Sequence, residues 1–535
     1  MTFSNSPGGN DSGQGDDNDN SKQASAQVSE TTPLLAAPPV ATTADSNVAS
    51  AVAGEGESHH PLLSKPEDKS LPKTQIFLLC YARLIEPIAF FSIFPYINQM
   101  VQDNGRLDEA DVGFYAGLIE SLFSLTQMLV MLLWGRAADR WGRKPVLVSS
   151  LIGVAFATSL FGLAREIWQM IVLRCLAGVF AGTVVTIRTM VAEHSTPRTQ
   201  ARSFSWFAFS GNLGLFIGPL IGGALADPVH QYPWAFGGVR FFEEYPYILS
   251  SIVVGCIGLT AAITSALFVE ETLKRYKGSN ANAANPDSQA EAGSPPKPAA
   301  PSPLELLKTP GVGIVVYNYA HAMVLGFAYT AIVPLFWFTN VKLGGFGFSP
   351  LQISLFMGLT GFSQATWLLL IFPPLQHRLG TNGVLRACGF AYPFFMCIMP
   401  VLNLIIYQDT PATGLVFWIL APTLAVLGSG VSMAFTGVQL ALNDVSPSPA
   451  SLGTLNALAL TITSGLRAFC PVLFTSLFAV SVKKHLLWGY LVWLVLTLMA
   501  LGFAVSTRFL PAASEKDYDR EAVETEQEDN DEDEN

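Results

Sequence analysis

The feature that most narrows what this chain can fold into is a series of apolar runs about 20 residues long, such as 146–164 and 247–269, separated by short polar turns. At about 1.5 Å of rise per residue, one such run crosses about 30 Å of hydrocarbon as a helix. No water inside a bilayer satisfies backbone N–H and C=O groups, so each run must satisfy its own by forming a helix. Twelve are expected, over 75–101, 113–133, 146–164, 168–190, 203–226, 246–269, 311–338, 351–374, 383–406, 412–441, 451–480 and 485–507. Half of the 535 residues are apolar and only 13% are charged, more apolar surface than a soluble core of this length can absorb. The expected fold class is an all-α membrane protein with twelve transmembrane helices in two six-helix halves.

Polar segments frame the halves. Residues 1–70 are rich in Gly, Ser, Asn, Asp and Thr, with almost no aromatic residues, and read as a disordered tail. The first six helices fall within 71–273. A linker over 274–310, containing GSPPKPAAPSP, separates them from the second six within 311–508, and an acidic tail follows over 509–535. Much of the net charge of −11 sits at 521–534, so it describes a tail and not a substrate site. The six cysteines all lie in apolar runs without ligand spacing, which predicts packed thiols and no metal site. The first apolar run begins only after some 70 polar residues and is too long for a cleavable signal peptide. With the N-terminus placed inside, seventeen Lys and Arg residues of the short connections and tails fall on the cytosolic side against six opposite, so both termini are expected in the cytosol.

The halves echo each other between their second and third helices, where Asp139-Arg140-Trp141-Gly142 aligns with His377-Arg378-Leu379-Gly380. The first of these turns belongs to the most specific local signal, Trp134 to Pro145, which carries Gly135, Asp139, Arg140, Gly142, Arg143 and Lys144. Its glycines let helix ends approach, and an acid among four bases can form a charge network that one conformation favours and another breaks. In the fifth helix Ser205 is followed, nine residues on, by Gly214-x3-Gly218-Pro219-x2-Gly222-Gly223. Gly214, Gly218 and Gly222 share a face for close helix packing, while Pro219 removes a backbone hydrogen bond and bends the rod.

These two motifs resemble motifs A and C of the major facilitator superfamily. Together they are similar to its drug:proton antiporter branch, and more narrowly to the zinc-induced-facilitator-like transporters of plants and their fungal relatives. Arg174-x3-Gly178 resembles motif B, Glu271-Thr272-Leu273 the acid-Thr-Leu after helix six, and Gly453-x2-Asn456 with Arg467 that group's eleventh helix. The resemblance covers about residues 72–508. It implies two six-helix bundles around a central cavity and a part for Arg174 in proton coupling. Two positions depart from the pattern: Ala177 stands where motif B often has Gln, and His377 where the repeat of motif A would have its acid.

A charge within the bilayer costs about 2.5–3.5 kcal/mol on insertion scales, so each ionisable residue in a span is a functional candidate. Arg83 and Glu86, three apart on the first helix, are expected to face each other as a coupling pair or a structural salt bridge. Glu120 is the alternative proton carrier. Arg174 and Arg467 need a carboxylate, anion or carbonyl partner, and together they can attract an anionic solute or repel a cation. Asn318 and His321 share a face of the seventh helix. Gln127, Gln364, Gln439 and Asn456 are candidate cavity polars or interhelical hydrogen bonds.

No nucleotide-binding loop or nucleophile elbow stands in the chain, and the polar segments are too short for a catalytic domain, so neither an enzyme nor a bound cofactor is expected. The expected function is secondary active transport, proton-coupled antiport of a small molecule by alternating access. A transporter-shaped sensor and a uniporter remain as alternatives. Glu30-Thr31-Thr32-Pro33-Leu34-Leu35 resembles an acidic dileucine sorting signal, with Glu30, Leu34 and Leu35 read by an adaptor. It favours a vacuolar membrane over the cell surface. The expected partners are the solute, protons, the lipid bilayer and sorting adaptors, with no nucleic acid, for a monomer; the sequence does not name the solute.

Overall fold

The computed structural model describes residues 72–195, 197–273, 303–447 and 449–511. Most of the predicted tails and linker, with Glu30, Leu34 and Leu35, lies outside the described residues. The first half comprises α1 (Lys73–Phe91), α2 (Ile97–Gly105), α3 (Glu109–Trp141), α4 (Arg143–Phe161), α5 (Ile167–Phe180), α6 (Thr183–His194) and α7 (Pro197–Ala224). Three short helices follow, α8 (Pro228–Gln231), α9 (Pro233–Phe236) and α10 (Arg240–Glu244), and then α11 (Ile248–Phe268). The second half comprises α12 (Pro303–Lys308), α13 (Val312–Phe338), α14 (Pro350–Thr366), α15 (Phe372–Tyr407), α16 (Pro411–Gly428), α17 (Met433–Asp444), α18 (Pro449–Lys483) and α19 (Leu491–Ser506).

Among the described residues, 11 helical stretches are long and apolar enough to cross a membrane. One of them, Pro350–Tyr407, has 58 residues, enough for two crossings, and it reverses at Gly380, whose φ of 68° and ψ of 167° are not helical. Counted so, the crossings number twelve. Gly142, at φ 116°, makes the equivalent turn between α3 and α4, so the sequence echo marks two glycines doing the same backbone job.

Contacts between connections sort them onto two faces. The α3–α4 turn meets the end of α11, where Glu271 accepts hydrogen bonds from the backbone of Arg143 and Lys144. Gly311 packs on Pro511 and Val445, and Asn382 donates to the Pro511 carbonyl. This is the near face. On the far face, Asn104 donates to the Ala164 carbonyl, the Tyr247 hydroxyl donates to Asp103, and Asn403 donates to the Val341 carbonyl.

Four elements depart from the expected spans. The first helix ends at Phe91 and not near 101, because Pro95 lacks an N–H and disfavours helix at the residue before it; α2 resumes after a turn. The fourth span breaks at Ala181 and Gly182, the tenth tightens to a 3₁₀ turn over Ser429–Ser432, and the eighth widens to a π turn over Trp367–Ile371. The end of the expected linker is helical, with Leu306 buried. Cys256 and Cys397 are exposed on the bundle and are not packed thiols.

Contacts that tie the halves together gather at the far face. Lys483 pairs with Asp111 at 2.8 Å, the Asn340 N–H donates to Glu109, and the Val472 N–H donates to the Ser121 hydroxyl. Small residues allow this closure: a methyl group on Gly117 would fall 1.8 Å from Thr475 Oγ1, and one on Gly223 2.5 Å from the Pro350 carbonyl. On the near-face half of α18, a methyl group on Gly465 would meet nothing within 4 Å. The bundle is sealed at the far face.

Candidate transport site

The break in the fourth span organises the polar interior of the first half. Opening the helix at Ala181 frees carbonyl groups that hydrocarbon cannot solvate, and side chains of neighbouring helices take them. Trp134 Nε1 donates to the Val179 carbonyl at 2.5 Å, Ser150 donates to that of Phe180, and Gln127 Nε2 donates to that of Ala181 at 2.9 Å. The Gln127 amide also donates to Glu86 at 2.6 Å, and Thr183, first residue of α6, donates its hydroxyl to the other carboxylate oxygen at 2.8 Å. Glu86 is therefore held by neutral donors at the start of a half-helix, where the partial positive charge of the helix end favours an anion.

The expected pairing of Arg83 with Glu86 does not form a salt bridge. The Arg83 guanidinium lies over the Phe207 ring, 5.1 Å from its centroid, in room left by Gly211, where a methyl group would sit 3.1 Å from Nη2. Its Nε and Nη1 are buried without a hydrogen-bond partner. Arg174 is 2% exposed and sits among three rings, Phe123 at 4.6 Å, Phe90 at 5.4 Å and Phe161 at 5.9 Å. It has a long contact of 3.5 Å from Nη1 to the Ala89 carbonyl, and its Nε and Nη2 are unpartnered. Arg467 of α18 stacks on Phe90 at 4.5 Å. Glu120, buried, is an electrostatic neighbour of Arg174, as Glu86 is of Arg467. Two of these guanidinium groups, from α5 and α18, thus meet on Phe90, a residue that sequence reasoning did not single out, and Glu120, Glu86 and Arg83 are electrostatic neighbours of that pair, five charges from four helices.

Beside this cluster lies a cavity of about 170 Å³. Phe91 and Leu215 wall it from the first half, and Tyr329, Trp337, Gln364, Tyr392, Phe395, Ser432 and Phe435 are among its walls in the second. Its lining includes six aromatic rings and three methionines, and of the four candidate polar amides Gln364 borders it. Gln439 instead donates to Asn456 at 2.9 Å. Asn318 bonds with Ser506 and the Ile314 carbonyl, and His321 bonds with the Met499 carbonyl, so both fasten α13 to the last span, away from the five charges.

The α3–α4 turn forms a compact network. Arg143 pairs with Asp139 and, at 3.3 Å, with Glu193 at the end of α6, while Glu271 takes the backbone N–H groups of Arg143 at 2.8 Å and Lys144 at 3.0 Å. Those N–H groups open α4 and have no acceptor within the helix. Arg140 is exposed, and Gly135 approaches Val185. On α7, Ser205 is half-buried, and the glycines pack on the backbone of α1: methyl groups on Gly214, Gly218 and Gly222 would lie 2.7, 3.1 and 1.8 Å from the carbonyl oxygens of Leu84, Ile88 and Ser92. Gly223 faces the other way, onto α14 of the second half. Around Pro219 one helix thus touches its own bundle and the opposite one.

This architecture agrees with the comparisons to known proteins. The family model described as Major Facilitator Superfamily matches residues 79–471. The efflux pump azaK of Aspergillus niger is 46% identical over 465 residues, 86% of this chain and 94% of the relative. Protein ZINC INDUCED FACILITATOR-LIKE 1 of Arabidopsis thaliana is 27% identical over 429 residues, 78% of this chain and 86% of the relative. Among solved structures, a D-xylose-proton symporter superposes with a TM-score of 0.60 at 13% identity, covering 83% of this chain and 99% of the other, a likeness of fold. The chain belongs to the Major Facilitator Superfamily, as a multi-pass membrane protein that carries out secondary transport of a small molecule and is not an enzyme.

Proposed function

We propose that the protein is a proton-coupled antiporter that removes a small molecule from the cytosol by alternating access between a first bundle within 71–273 and a second within 311–508. The observation that carries this reading is the environment of Glu86. A buried carboxylate held by Gln127 and Thr183, both neutral, can take up or release a proton without breaking an ion pair, while its neighbour Arg467 belongs to the opposite bundle. Proton occupancy of Glu86 then alters the attraction between the bundles, which is the differential interaction that a coupled switch requires. Arg83, Glu120 and Arg174 complete the coupling set. The Arg143–Asp139–Glu193 network and the α7 glycines serve the conformational cycle.

Export is favoured by the similarity to the Aspergillus niger relative, an efflux pump. The excess of Lys and Arg on the near-face connections favours both termini in the cytosol, which makes the sealed far face lumenal or extracellular. The leucine pair Leu34 and Leu35 after Glu30 favours delivery by adaptors to a vacuolar membrane, and the protein acts as a monomer.

The test is reconstitution in liposomes with a pH-sensitive dye inside and a panel of candidate solutes outside. Solute entry is expected to drive protons out, and Glu86→Gln is expected to abolish proton movement while solute exchange persists. Solute flux that is unchanged when an ionophore collapses the pH gradient, with no proton movement, would rule out the coupling.

A further inference from the structure

We propose that the transported solute is an organic anion with a flat, conjugated body, whose acidic oxygens are received by Arg467 and Arg83. This rests on the transport reading and adds the chemical class of the cargo.

The charges of this cluster do not balance. Three guanidinium groups, of Arg83, Arg174 and Arg467, face two carboxylates, of Glu86 and Glu120. Neither carboxylate forms a salt bridge with an arginine here, and Glu86 is occupied by Gln127 and Thr183. Arg83 keeps Nε and Nη1 without an acceptor, and Arg174 keeps Nε and Nη2. Arg467 has no hydrogen bond or salt bridge among the described residues, only the Phe90 ring and the nearby charge of Glu86, and is half-buried. A guanidinium carries five donors in a planar fork suited to a carboxylate or phosphate-like group, and a buried donor without an acceptor is unfavourable. The missing component is therefore an anionic acceptor. A cationic solute would add a positive charge to a site already in excess.

Arg174 is enclosed by its three rings, so it sets the local potential from behind, whereas the side chains of Arg467 and Arg83 are only half-buried, with Nε and Nη1 of Arg83 enclosed. Phe91 places the body of the solute. Its ring meets Phe90 edge-on at 4.8 Å and also walls the cavity, so the guanidinium stacked on Phe90 lies one ring away from a wall shared with Tyr329, Trp337 and Phe435. The hydroxyl groups of Thr330, Thr360 and Ser429 are donated to backbone carbonyls, so the six rings of the lining favour a flat ring system over a sugar or a peptide.

The experiment compares two probes with one ring system and opposite charge, naphthoate and naphthylmethylammonium, on the full chain. Binding is read from quenching of tryptophan fluorescence in detergent, and transport from uptake into liposomes preloaded with the same probe. Naphthoate is expected to bind and be taken up, with affinity lowered at least tenfold in Arg467→Gln and partly kept in Arg467→Lys. The ammonium is expected to do neither. Thermal unfolding of each variant shows whether it folds. Failure of naphthoate to bind the folded wild-type chain, or equal binding by folded Arg467→Gln, overturns the proposal. Uptake of the ammonium with naphthoate excluded overturns the anion class but leaves the transport reading standing, whereas naphthoate binding without uptake supports the anion class and counts against transport.

Discussion

The Gln127 amide joins Glu86, at 2.6 Å, to the carbonyl oxygen of Ala181, at 2.9 Å, and so ties the first span's carboxylate to the break in the fourth. One side chain satisfies two acceptors that belong to different problems, an acid buried in the bilayer and a backbone opened within it. Movement of either is transmitted to the other through a group with no charge of its own.

Replacing Gln127 by Leu keeps the volume and removes both donors. Two buried acceptors lose a partner, at about 1–3 kcal/mol each, so a loss of roughly 2–6 kcal/mol of stability is expected. The measurement is thermal unfolding in detergent, with Gln364→Leu as the comparison. Gln364 borders the cavity and has no such bridge, so its variant should unfold close to the wild-type temperature.

Gly117 controls closure of the far face. A methyl group there would fall 1.8 Å from Thr475 Oγ1 and 2.9 Å from the Pro471 carbonyl, and backbone cannot move aside. Gly117→Ala is expected to hold the halves apart and lower transport at least tenfold while the chain still folds. Cysteines at 111 and 483 report the effect: they should crosslink efficiently on the wild-type background and poorly on the Gly117→Ala background. Equal crosslinking in both would mean that the faces close without this contact.

The Asp111–Lys483 pair is a partly exposed latch, with side chains 36% and 60% exposed. Solvent screening keeps such a pair weak, so its loss shifts the closed population by no more than a few-fold. Asp111→Asn should therefore slow transport only a few-fold at low salt and less at high salt. Exchanging the two charges, Asp111→Lys with Lys483→Asp, should restore the rate. A loss of tenfold or more in Asp111→Asn would mean that the aspartate does more than latch.

Glu271 stabilises the start of α4 across the α3–α4 turn. Glu271→Ala removes the acceptor for two N–H groups at the helix N-terminus, an expected loss of about 1–2 kcal/mol. Glu271→Gln keeps an oxygen acceptor without the charge and should fall between. Thermal unfolding ranks the three proteins. Hydrogen exchange should locate the change in the first turn of α4, and protection there that is unchanged in Glu271→Ala would remove Glu271 from this role.

By itself the sequence determined the solvent, the number of crossings and the family. Hydrocarbon admits few backbone arrangements, so apolar length alone specifies a helix, and residues such as Gly142, Gly380 and the glycines of α7 mark where only a missing side chain fits. Tertiary structure decided which polar groups meet. Spacing on α1 pointed Arg83 at Glu86, yet the guanidinium took an aromatic face and the carboxylate took Gln127 and Thr183. The breaks were equally hidden. The fourth span opens where Trp134, Ser150 and Gln127 accommodate its carbonyls, and the tenth tightens just after the Val426 carbonyl, which takes hydrogen bonds from both Ser363 and Trp367. Those donors lie on other helices, dozens of residues away, and periodicity along one helix carries no information about a hydrogen bond supplied by another.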